Sequence, residues 1–105
     1  MENNEIQHNQ ENTVMFDKFQ YAVVAIEERL NIKLEWDFIK VQNCHKDISS
    51  KFKGVPQEKI FEAIKKGSLG EYGRTYRLST QEICIWIREY LKEEKSNKFN
   101  PNDYI

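Results

Sequence analysis

Apolar residues recur along this chain at helical spacing. Phe16, Phe19, Val23, Ile26 and Leu30 are separated by steps of three, four, three and four, which puts them on one stripe of a helix with Asn12 or Thr13 available as its cap. A second stripe, Ile83, Trp86, Ile87, Tyr90 and Leu91, is introduced by Ser79 and Glu82. Those two are spaced as a capping box, in which each side chain satisfies the other residue's free backbone N–H. Lys92 and Lys95 suit the negative pole at the end of that helix. Between the two stripes, Pro56 fits a first helical position, Ile60, Phe61 and Ile64 give an apolar side, and Gly67 after Lys65 and Lys66 reads as a stop. Residues 33–54 read as a further helix interrupted near Asn43, with Trp36, Ile39, Val41, Ile48 and Phe52 facing inward.

These elements predict an all-α fold, a small single-domain bundle of about four helices. No strand alternation is visible, although "RTYRLS" has room for a short extended stretch. Residues 1–12 are polar and nearly without apolar side chains, too little to offset the entropy of ordering, so they read as a disordered head. Residues 13–95 form the helical domain. Residues 96–105 read as a flexible tail, in which Pro101 and the asparagines discourage helix while Phe99, Tyr104 and Ile105 could dock on the body or on a partner.

Composition narrows the class. At 105 residues there is room for one modest core and not two. The net charge of -1 excludes a uniformly basic nucleic-acid-binding domain. The charges are nevertheless segregated: residues 1–32 are net acidic and residues 33–66 net basic, with eight lysines against five acids. Cys44 and Cys84 are forty positions apart and neither belongs to a C-x-x-C pair, which favours reduced thiols over a disulfide scaffold or a zinc site. No apolar run has the length of a membrane span, and "MENNEIQHNQENT" lacks the basic and apolar regions of a signal peptide. The expectation is a cytoplasmic protein without membrane contact.

Catalysis finds little support. His8 falls in the polar head, and Cys44 beside His45 points about 100° away from it on a helix, so adjacency is not the contact that a nucleophile and its base require. The carboxylate pairs Glu27/Glu28, Glu35/Asp37 and Glu93/Glu94 lie in charged surroundings, as on a solvated helix face. Two histidines and two separated cysteines make no metal-ligand set. The reading is a non-enzymatic protein with no metal and no cofactor.

The segment "GSLGEYG", with glycines at 67, 70 and 73, meets neither the dinucleotide nor the P-loop spacing, and a helix rather than a strand precedes it. Tight or positive-φ turns at Gly70 and Gly73 account for it, with Leu69, Tyr72 and Leu78 packing inward. Around it, residues 46–77 carry eight Lys/Arg against four acids. Basic residues interleaved with tyrosines suit single-stranded nucleic acid, the charges meeting phosphates and the rings meeting unstacked bases. Lys51, Lys53, Lys59, Lys65, Lys66, Tyr72, Arg74, Tyr76 and Arg77 are the candidate contact residues. A solvated charged face is the competing account of the lysines. The connection before Ser79 is longer than the tight turn of a helix-turn-helix.

Ala63, Gly67, Gly70, Tyr72, Gly73, Tyr76, Leu78 and Ser79, followed by Trp86, Ile87 and Tyr90, form a run that resembles a segment of small proteins of bacterial phages and integrated mobile elements. Most such proteins have no assigned activity, and a few are placed near replication functions. The short length and the Ile/Lys/Asn/Glu-rich composition are also similar to anti-CRISPR proteins. Taken together, the basic, tyrosine-bearing segment and this resemblance lead to the expectation of an accessory protein that binds RNA, single-stranded DNA or a nucleoprotein complex, with a host nuclease among its expected partners. The alternative is a protein–protein adaptor or homodimer that uses the aromatic stripe or the tail.

Overall fold

The structure, a computed structural model, describes the backbone of residues 2–98 and the side chains of residues 15–96. Four helices follow in chain order: α1 (Glu2–Leu30), α2 (Phe38–Lys51), α3 (Gln57–Ser68) and α4 (Thr80–Lys98). Among the described residues there is no strand, "RTYRLS" included, and the all-α bundle is what the chain forms. Among them, too, no helix is long and apolar enough to cross a membrane.

α1 packs on α2 and α3, and α4 packs on the same two helices, so the four close around one core. Phe19, Val23 and Ile26 enter it from α1, Ile48 and Cys44 from α2, Ile60, Ala63 and Ile64 from α3, and Ile83, Trp86 and Ile87 from α4. Each large side chain removed from water contributes roughly 1.5–3 kcal/mol before conformational entropy is counted. The stripes read from spacing in α1, α3 and α4 are therefore the buried ones, with Phe16, Leu30, Phe61, Tyr90 and Leu91 half-covered at their margins.

Several boundaries differ from expectation, each for a local reason. α1 runs continuously from Glu2, so Asn12 and Thr13 do not open it. No glycine or proline interrupts residues 2–13, and a helix nucleated by the packed stripe propagates through such residues at little cost. α4 continues through Lys98, taking in the first residues of the expected tail; Phe99, Tyr104 and Ile105 lie outside the described residues. α2 passes through Asn43 without a break. Asp37 starts it by accepting the Lys40 N–H at 2.8 Å, and that register turns Val41, Cys44 and Ile48 inward. Ile39, two residues before Val41 and so on the opposite side of the helix, is 64% exposed rather than inward-facing.

α3 also runs one residue beyond its expected stop: Gly67 is helical and Ser68 ends the helix. The turn after it belongs to Gly70, at φ 88°, whose N–H reaches the Gly67 carbonyl at 3.0 Å, and to Gly73, at φ 108°. Leu69 faces solvent instead of the core, while Leu78 is buried and Tyr72 half-buried. At the entry to α4 the capping box is half formed. Ser79 Oγ accepts the Glu82 N–H at 3.1 Å, but the Glu82 carboxylate accepts from Thr75 Oγ1 at 3.2 Å.

Candidate nucleic-acid interface

Three of the nine candidate residues are engaged by acids of α4. α3 and α4 are packed together, and two α4 carboxylates reach across the seam. Lys59 Nζ lies 2.8 Å from Glu94, and that hydrogen-bonded carboxylate raises the lysine above its ordinary value. Lys66 Nζ lies 3.5 Å from Glu93 and 5.5 Å from the centre of the Tyr90 ring. Tyr72 donates its hydroxyl to the same Glu93 at 3.1 Å. Burial, and then that bond, push the phenol well above its ordinary value. These three side chains serve the α3–α4 seam, their charge or hydroxyl matched by an acid.

The remaining cations fall into two groups. Lys51 ends α2 and Lys53 follows it, whereas Lys65, Arg74 and Arg77 lie at and beyond the far end of α3. None of the five pairs with a carboxylate among the described residues. Within the second group the geometry is informative: the Arg74 guanidinium stands 5.4 Å from the centre of the Tyr76 ring, which is itself 77% exposed. Gly73 at positive φ starts this stretch, and buried Leu78 and the Ser79 cap end it. An arginine laid against an accessible tyrosine, with a second arginine beside it, offers charge and an aromatic plane to one strand.

Cys44 and His45 turn to different sides of α2, about 100° apart, as their spacing requires. Cys44 is in the core, where burial pushes its thiol up, away from the thiolate a nucleophile needs. His45 faces α1, its ring 5.7 Å from Phe16 and 5.1 Å from Phe19. Burial lowers its value, and its Nε2 has no hydrogen-bond partner. Among the described residues no three His, Cys, Asp or Glu side chains gather to hold a metal ion.

On the same side of α2 is a groove that the sequence reading did not find. It holds about 880 Å³ between α1 and α2, and Phe16, Phe38, His45, Lys46, Ser49 and Lys53 are among the residues that line it. The signal was present as residues 38, 42, 45, 46 and 49, one face of α2, but the expected break near Asn43 divided it. No protein-family model matches this chain, and neither a curated protein nor a solved structure proved similar to it.

Proposed function

We propose that this chain is a non-enzymatic accessory protein of a bacterial phage or mobile element that contacts RNA, single-stranded DNA or a nucleoprotein through the α3–α4 connection. The observation that carries the reading is the Arg74–Tyr76 stack, open to solvent and free of any carboxylate pair among the described residues, with Arg77 next to it. Lys65 on the last turn of α3 extends the contact; Lys59, Lys66 and Tyr72 support the seam beneath it. The likeness of the Ala63–Tyr90 run to phage proteins supplies the biological setting, and inhibition of an RNA-guided nuclease is one concrete form of the activity.

Anisotropy of fluorescein-labelled oligouridine and oligothymidine, titrated with the protein between 50 and 300 mM salt, tests the reading. Affinity is expected to fall with salt by about 0.7 log units per log unit for each phosphate contacted. Replacing Arg74 and Arg77 with glutamate abolishes binding, and Tyr76→Ala weakens it by about 1–3 kcal/mol per stacked base. Undiminished binding by the double variant with an intact helical spectrum overturns the proposal.

A further inference from the structure

We infer that Arg29, on the last turn of α1, is a further phosphate-contacting residue of the surface proposed above, and that Ser68 holds it in place. The inference rests on that reading of the α3–α4 connection. It adds a side chain that lies 39 positions before Ser68 and outside the basic segment of the sequence.

Two printed hydrogen bonds carry the geometry. Arg29 Nη1 donates to Ser68 Oγ at 3.0 Å, and Ser68 donates in turn to the Lys65 carbonyl at 2.9 Å. Nη1 therefore stands no more than about 6 Å from the Lys65 carbonyl oxygen, on the turn of α3 that leads into the connection. Ser68 is 3% exposed, so its bond to the guanidinium is shielded from competing water, whereas Arg29 itself is open to solvent. A guanidinium has five N–H donors, and no carboxylate pairs with this one among the described residues. With one donor held by Ser68, the others are left to the oxygens of a phosphate. Because the side chain is already oriented, less freedom is lost when the phosphate arrives.

An arginine on a last helical turn also complements the negative end of the helix dipole, and that role needs no ligand. Here, however, the guanidinium is bonded to a buried hydroxyl of another helix, beside groups suited to a strand. Lys65 shares the turn of α3 that holds Ser68, and Leu69, directly after Ser68, is 57% exposed. The connection then leads to Arg74, Arg77 and the exposed Tyr76 ring. The acids nearest in sequence, Glu28, Glu62 and Glu71, form no ion pair with these four cations among the described residues. Cations beside exposed apolar and aromatic side chains match a backbone that alternates phosphates with unstacked bases.

The test measures full-length protein binding to labelled oligouridine across the same salt range, with thermal melts in parallel. Arg29→Gln is expected to lower the salt slope by about 0.7, one phosphate contact. Ser68→Ala keeps the charge but frees the arginine; it is expected to retain the wild-type slope and bind about threefold more weakly. Lys18→Gln removes a charge from α1 about 16 Å away at 1.5 Å per residue and is expected to leave the slope unchanged. A lower melting temperature of Arg29→Gln with a wild-type slope marks a purely structural arginine and overturns the inference. So does an equal loss of slope in Lys18→Gln, which reports net charge alone. Should Arg29→Gln not fold, Ser68→Ala decides: undiminished affinity overturns the inference. Binding lost in the Arg74→Glu, Arg77→Glu protein but unaltered in Arg29→Gln overturns this inference alone. Binding unaltered in the Arg74→Glu, Arg77→Glu protein overturns the reading on which it rests.

Discussion

The indole of Trp86 lies directly on the bare α-carbon of Gly67. A β-carbon added there would fall within the ring, with Cε3 2.6 Å away and Cγ and Cδ2 nearer still. Gly67 is in mid-contact between α3 and α4, and Trp86 is fully buried. Gly67→Ala gains about 1 kcal/mol of helix propensity and yet is expected to destabilise the protein by a net 1–3 kcal/mol through overpacking. Urea titration followed by circular dichroism checks this. Combining it with Trp86→Leu is expected to show a coupling of at least 1 kcal/mol, because the two side chains share one space.

The acids of α4 hold down part of the positive charge. Glu93→Gln with Glu94→Gln frees Lys59 and Lys66 from their pairs at 3.5 Å or less. The salt slope of oligouridine binding is expected to steepen by about 1.4, two further contacts at about 0.7 each. An unchanged slope places the strand away from this seam.

His45 makes stability depend on pH in a stated direction. Its value is lowered from 6.5 by burial, so the folded protein keeps the ring neutral where the unfolded chain already binds a proton. Stability from this group is full above 6.5 and declines as pH falls below it. The urea midpoint of the protein is expected to drop between pH 7 and pH 5.5, and the drop to flatten in His45→Phe. Parallel curves for the two proteins contradict this.

Two side-chain caps have separable effects. Asp37→Ala removes the acceptor at the start of α2 and Ser79→Ala the one at the start of α4. Each is expected to cost about 1 kcal/mol. Asp37→Asn is expected to keep most of that stability, since the amide oxygen still accepts. Thermal melts of the three variants decide it.

The helices were legible because their buried residues obey a period of 3.6, as Phe19–Val23–Ile26 and Ile83–Trp86–Ile87 show. What the sequence concealed was how the elements use one another. Gly67 looks like a terminator until Trp86 is seen to need the space. The lysines at 59 and 66 look like part of a cationic run because their partners lie about thirty residues later, across a helix seam. Ile39 looks buried until Asp37 fixes the register of α2. In each case the deciding contact was tertiary. Tyr76 and Arg74 could be singled out early because their stack is local to one loop.

Ser68, buried at the last position of α3, receives a hydrogen bond from Arg29 Nη1 at 3.0 Å and gives one to the Lys65 carbonyl at 2.9 Å. The guanidinium of the first helix thus grips the root from which the arginine–tyrosine loop springs. That contact ties the last turn of α1 to the last turn of α3 by side chains 39 positions apart.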